Sequence, residues 1–310
     1  MNAIEPEPGI CFPKRISRNS MPHRSYPHDF DDYWHQVCRE LEAIPMAAEE
    51  EFLPMRSTEF CDCYAVRFTS IGPYRLFGYL SIPHGDGPFP SILNGPGYRS
   101  AVAPLTQGDA NEKRSRFVIF SAAARGQRNA DKPFAAQFPG LMTEGIDSPE
   151  TYIFRGIVAD WLRAVDYLLT RPEVDRSRIV AVKRDSLPLL TASLRPEVTH
   201  VVAAPGSFLQ ISDNTPAELD DYLRMYPDKR GLVEQTLSYF YPLFFASAVH
   251  ARTLLWGNPE AVESLSATIA GETDVRESEQ STFKDGLFEE RWIAEQLGFS
   301  DAIVPRCWQT

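Results

Sequence analysis

Apolar residues along this chain recur with two periods, and the changes of period mark out its elements. From Asp29 the spacing is helical: Phe30, Trp34, Val37, Cys38, Leu41 and Ile44 fall three and four apart, on one helix face. Two runs rich in β-branched and aromatic residues follow, Tyr64 to Thr69 and Tyr74 to Ile82, and Gly72-Pro73 between them predicts a hairpin. Further strands are predicted at Pro90 to Leu93, Phe117 to Phe120, Arg178 to Val182, His200 to Ala204 and Thr253 to Trp256. The longest helix is predicted from about Pro149 to Leu169, with Ser148 as N-cap, Pro149 in the first turn and Glu150 at the positive end of the dipole. Shorter helices are predicted from about Ser186 to Leu194 and from Leu287 to Leu297. Residues 206–250 read as mainly helical, with Asn214-Thr215-Pro216 as a start signal.

Strands alternating with helices predict a mostly parallel central sheet covered by helices on both faces. The Pro-, Ser-, Arg- and His-rich residues 1–28 read as an extended N-terminal arm, and residues 29–310 as a single α/β domain with a helical insertion over 206–250. An apolar content of 43% and an aromatic content of 12% fit a globular protein with a sizeable core.

Charge and cysteine usage narrow the class further. A net charge of −11 argues against nucleic-acid or anionic-membrane partners. The amino terminus lacks the basic-then-apolar order of a signal peptide, and no apolar stretch approaches the ~20 residues of a membrane helix. The five cysteines are odd in number and scattered, and Cys61 and Cys63 fall on the same face of a strand. Reduced structural thiols in a cytoplasmic protein are therefore expected. No Gly-rich phosphate loop follows the first strand, so no nucleotide cofactor is expected. The cluster His23, His28, Asp29, Asp31, Asp32 and His35 reads as an acidic helix start rather than a metal site, and the Glu272 to Glu279 segment has carboxylates but no histidine beside them.

Several strings make the chain recognisable. They are Phe138-Pro139-Gly140-Leu141-Met142-Thr143-Glu144-Gly145-Ile146 with Pro149-Glu150-Thr151-Tyr152, Asp29-Phe30 with Tyr33-Trp34, Arg125-Gly126-Gln127, and Thr236-Leu237-Ser238-Tyr239-Phe240. On these the chain resembles the acetyl xylan esterase/cephalosporin C deacetylase family of α/β-hydrolases over about residues 29–256. The resemblance implies an α/β-hydrolase fold, deacetylation of small esters without a cofactor, and rings of subunits, hence a homo-oligomer. A small-molecule substrate or ligand is the implied partner.

The family's serine lies in a Gly-Gly-Ser-Gln-Gly-Gly turn after a strand. The matching positions here are Lys183, Arg184, Asp185, Ser186, Leu187 and Pro188. Asp185 thus stands in the nucleophile's place, in a turn without glycine; a one-residue slip puts Ser186 there instead. Asp tolerates the left-handed backbone that such a turn uses, while Lys183 and Leu187 bring side chains into its space. The family's histidine falls in the window Glu277 to Ser281, which holds none, and the last sixty residues hold no histidine at all. The family's acid falls at Glu260 or Ala261. Its oxyanion loop falls at Pro96-Gly97-Tyr98, and Arg125 and Gln127 fall near the old site. The candidates are thus Asp185, Ser186 and Glu260 for chemistry, and Gly97, Tyr98, Arg125, Gln127 and Lys183 for oxyanion or ligand contacts.

Removing the nucleophile or its histidine from a serine hydrolase costs roughly 10⁶ in turnover, and an oxyanion donor alone leaves ~10³ to 10⁴ over water. The first reading of this pattern is therefore a fold repurposed for non-hydrolytic acid/base chemistry, and the second a catalytically inactive ligand-binding or oligomer-partner protein. Two further readings are an aspartate nucleophile at Asp185 and a residual acetyl esterase.

Overall fold

Every predicted core strand pairs into one sheet. The computed structural model describes residues 26–103, 111–128, 136–206 and 216–304. Its strands are β1 (Glu49–Phe52), β2 (Cys61–Ser70), β3 (Tyr74–Pro83), β4 (Phe89–Asn94), β5 (Val118–Ala123), β6 (Val174–Lys183), β7 (His200–Ala203), β8 (Arg252–Trp256) and β9 (Thr273–Arg276). They lie in the order β1-β2-β3-β5-β4-β6-β7-β8-β9. The β1, β2 and β3 pairings are antiparallel; from β5 to β9 the strands run parallel.

Helices cover both faces, as strands buried on both sides require. Along β6, Ile179 and Ala181 pack into one core, while Val180 packs into another on the opposite face. The larger core takes in α1 (Phe30–Ala43), α2 (Ile153–Leu169) and α3 (Leu187–Leu194). The smaller core is sealed by Trp292, Ile293 and Leu297, the first two on α8 (Thr282–Gln296). The segment before β8 carries α4 (Ala217–Met225), α5 (Arg230–Ser238) and α6 (Pro242–Phe245); α7 (Pro259–Thr268) follows β8. Pro216 is the N-cap of α4. Its companions Asn214 and Thr215, the arm residues 1–25 with His23, and Cys11 and Cys307 lie outside the described residues.

The strings that carried the resemblance meet in space. Trp34 Nε1 donates to the Tyr239 carbonyl (3.0 Å), and Tyr239 Oη donates to Asp29 Oδ1 (2.6 Å). Asp31 accepts from Tyr26 Oη (2.8 Å), so two of the arm-proximal aspartates serve packing. Cys38, Cys61 and Cys63 are free and buried, the latter two on one face of β2 as their spacing predicts. Among the described residues no helix is long and apolar enough to cross a membrane.

Several elements differ from the sequence pattern: α7 is not predicted, and α8 begins at Thr282 rather than Leu287. α2 begins at Ile153, not Pro149, because the Ser148 carbonyl accepts the amides of Thr151 and Tyr152 in a turn and the Tyr152 side chain is buried (Tyr152 Oη to Met142 O, 3.0 Å). β1 is fully exposed, so no alternation marks it. β9 forms within the acidic segment Glu272 to Glu279, paired through its backbone with β8.

Candidate functional site

After β4 the chain turns to β5 on one side, then returns past β4 to β6 on the other. The carboxyl ends of β4 and β6 therefore flank a topological switch point, where α/β sheets place ligands. Two cavities open there. One, about 20 Å³, is lined by Tyr98, Gln127, Leu141, Lys183, Asp185, Ser186 and Leu187 among others. The other, a cleft of about 640 Å³, lies between the loop after β4, the end of β6 and α8.

The turn from β6 into α3 is ordinary backbone. Ser186, the N-cap of α3, has φ −83° and ψ −8°, and neither it nor Asp185 is among the described non-glycine residues with positive φ. The left-handed conformation that Asp185 could tolerate is thus not adopted. Its side chain acts as a local brace instead: Oδ1 accepts from the Leu187 amide (2.8 Å) and Oδ2 lies 2.6 Å from Lys183 Nζ. Lys183 also faces the Trp161 ring at 5.8 Å. Lys183 and Leu187 both line the smaller cavity, which keeps room for about one water.

The loop after β4 is held from two sides. Gln127 Nε2 donates to the carbonyls of Pro96 and Gly97 (3.2 Å each), which fixes the segment carrying Gly97 and Tyr98. Tyr98 Oη donates to Glu218 Oε2 (2.5 Å), and the same oxygen accepts from the Met142 amide (3.0 Å). Burial, with Glu218 beside it, raises the Tyr98 pKa well above the ordinary phenol value. Tyr98 therefore latches the loop to α4 in the neutral form.

Two candidates stand elsewhere. Arg125 does not face the cavities: its Nε and NH2 clasp both oxygens of the buried Asp160 (3.0 and 2.7 Å), NH2 also donates to the Ile71 carbonyl, and the guanidinium lies over Tyr74. A bidentate buried pair of this kind fixes the loop, not a ligand. Glu260 is exposed near the start of α7, its amide held by the Asn258 cap (3.0 Å), and it lines neither cavity.

The sequence reading missed a carboxylate that does line the cleft. Glu289 Oε2 accepts from Arg184 NH2 (2.9 Å) and from Trp256 Nε1 (3.0 Å), while the Arg184 guanidinium stacks on the Trp256 ring at 4.2 Å. Burial raises the Glu289 pKa even though Arg184 opposes it. Its signal was present, since Asp285 and Glu289 continue the inward stripe of Trp292 and Ile293 at helical spacing. In the Glu277 to Ser281 window, Ser278 Oγ and the Glu279 amide both donate to Asp285 (2.5 and 3.0 Å). Among the described histidines, His200 and His250 sit at the amino ends of β7 and β8, and His84 pairs with Asp62 beyond β3. None of them lines either cavity.

The family model for acetyl xylan esterase matches residues 16–257. The chain belongs to the acetyl xylan esterase family. Acetyl esterase Axe7A of Xylanibacter ruminicola is 25% identical over 193 residues, covering 59% of this chain and 44% of its own length. The chain thus spans less than half of that curated relative. Acetyl xylan esterase 1 from Thermoanaerobacterium sp. JW/SL YS485 superposes with a TM-score of 0.75 at 21% identity, over 89% of this chain and 96% of its own. The acetyl xylan esterase from Paenibacillus sp. R4 does so at 0.73 and 24%, over 88% and 96%. The fold is that of the α/β-hydrolases, and the family is one of acetyl xylan esterase-like hydrolases.

Proposed function

We propose that this acetyl xylan esterase family member binds a small molecule in the cleft at the carboxyl ends of β4 and β6, without a serine-histidine-acid triad. One observation carries the reading. The residue in the nucleophile's position, Asp185, spends both carboxylate oxygens on Lys183 and the Leu187 amide, and the space beside it holds about 20 Å³. A nucleophile needs an exposed, basic lone pair, a base within hydrogen-bond reach and room for the acyl carbon; the ammonium and the amide draw charge from this carboxylate, and the space beside it is small. The open volume lies in the adjoining cleft of about 640 Å³, enough for a small organic ligand.

Two other readings each rest on a specific observation. Acid/base chemistry on the bound molecule is favoured by Glu289, a carboxyl with raised pKa in the same cleft as Asp185. Residual acetyl esterase activity is favoured by family membership and by Ser186 and Tyr98 lining one cavity. A chromogenic acetate ester assayed with wild type, Asp185→Ala and Ser186→Ala separates these. The binding reading expects no turnover above buffer and ligand-dependent thermal stabilisation. Turnover abolished by Ser186→Ala establishes the esterase, and turnover abolished by Asp185→Ala an aspartate nucleophile.

A further inference from the structure

We propose that the cleft between the loop after β4 and α8 is a site for a small carboxylate-bearing ligand, read by Arg184, with Glu289 as the internal carboxyl that the ligand displaces. This rests on the reading of the cleft as a binding site and names its ligand chemistry.

Arg184 has the geometry of an anion reader. Its guanidinium is planar and sits over the Trp256 ring at 4.2 Å, so the ring limits the freedom it has to lose when it meets a planar anion. One nitrogen, NH2, is engaged by Glu289 at 2.9 Å, while the side chain stays 42% exposed along the cleft wall. Asp185 and the two remaining cations of the wall are committed within their own pairs, Lys183 with Asp185 (2.6 Å) and Lys113 with Glu290 (2.5 Å). Among the described residues of the wall, three cations thus face three carboxylates, which leaves no net charge. In a chain of net charge −11 long-range attraction does not draw an anion in, so recognition has to come from a local guanidinium.

Glu289 is the internal carboxyl best suited to give way. It is half-buried among Arg184 from the β6–α3 turn, Lys113 from the 3-10 turn before β5, Trp256 from β8 and Glu290 of its own helix. Arg184 also faces Asp285 on α8, which keeps a partial counter-charge beside the guanidinium. When a ligand carboxylate takes the Arg184 fork, Glu289 gains a proton and keeps the Trp256 N–H on its carbonyl oxygen. Burial favours that neutral form. One proton is taken up per carboxylate bound, and the charge of the wall with its ligand stays balanced.

Titration calorimetry of the full chain with acetate and succinate, with acetamide as the neutral control, tests this in two buffers of different ionisation heat. The expected result is binding of the carboxylates but not of acetamide, with proton uptake from the buffer. Arg184→Lys is expected to weaken binding about tenfold or more, since an ammonium cannot offer the fork. Glu289→Gln is expected to bind acetate with no proton uptake. Failure of wild type to bind either carboxylate, or equal affinity in Arg184→Lys of unchanged circular dichroism, overturns the proposal; proton uptake persisting in Glu289→Gln overturns the exchange. The two levels separate cleanly. Thermal stabilisation by neutral ligands without carboxylate binding rejects this inference and leaves the cleft reading intact. Ester turnover removed by Ser186→Ala rejects the triad-free reading, whatever the carboxylate titration gives.

Discussion

Lys183 Nζ and Asp185 Oδ2 lie 2.6 Å apart across the turn between β6 and α3, with side chains only 12% and 17% exposed. The pair neutralises itself at the carboxyl end of β6, beside the smaller cavity, and it ties the end of a core strand to the start of a helix. Asp185→Ala removes the partner of a largely buried ammonium and the acceptor of the Leu187 amide together. It is expected to lower stability by about 3 kcal/mol. Lys183→Met leaves Asp185 its amide partner and should lose less, and the double variant should recover part of the Asp185→Ala loss. Urea denaturation of the four proteins reads the coupling. Simple additivity of the single effects would show that the pair contributes nothing of its own.

Gly156 gives a test with a reversed sign. Glycine to alanine inside a helix ordinarily stabilises by up to about 1 kcal/mol. On α2, however, a Cβ at position 156 falls 2.4 Å from Arg125 Nε, inside the guanidinium that clasps Asp160. Gly156→Ala is therefore expected to destabilise, by about 3 kcal/mol if the buried pair is broken. A thermal melt that rises instead contradicts the structural role given to Arg125.

The fold was legible because burial writes a period into sequence. Phe30, Trp34, Val37 and Leu41 showed α1, and Val180 between Ile179 and Ala181 showed a strand packed on both faces. Glu49 to Phe52 showed nothing, since an exposed edge strand is held by backbone pairing with β2. The site was legible only in part. The turn at Lys183 to Leu187 could be placed by its flanking strand and helix, but not whether Asp185 was free or tied. Arg125 reads equally as a loop-fixing and as a ligand-contacting group in sequence, and Asp160, 35 residues away, decides for the loop. Glu289 was overlooked because its meaning depends on Arg184 and Trp256, which the sheet brings to it from other strands.

Tyr98 lines the smaller cavity and is tied through its hydroxyl to Glu218, and this contact should govern the mobility of the loop after β4. Tyr98→Phe keeps the ring and removes the donor. Because Tyr98 is partly exposed, the expected stability loss is at most about 1 kcal/mol. The effect belongs in local dynamics. Glu218→Ala, which also removes the acceptor of the Met142 amide, should speed hydrogen exchange at Met142 far more than Tyr98→Phe does. Equal exchange at Met142 in wild type and Glu218→Ala would mean that the latch does not order this segment.

Acid titration of stability should show two carboxyls of α8 acting with opposite signs. Glu289 has its pKa raised above the ordinary 4.5, by burial first and against Arg184. The native state then holds more protons than the unfolded chain between the two values. The stability from that proton is complete below the unfolded pKa and is lost as pH rises through the folded one. Asp285 is the converse: the Ser278 hydroxyl first, then the Glu279 amide and the nearby Arg184 and Arg276, bring it below 3.8 despite some desolvation. Its contribution is present above the unfolded pKa and is lost as pH falls through the folded one. Urea midpoints measured over a pH series should therefore flatten differently in two variants. Glu289→Gln should remove the decline on the rising side of the carboxylate range, and Asp285→Asn should remove part of the fall at the acid end. A Glu289→Gln profile parallel to wild type throughout would place that carboxyl at an ordinary pKa and take away the proton that carboxylate binding is expected to exchange.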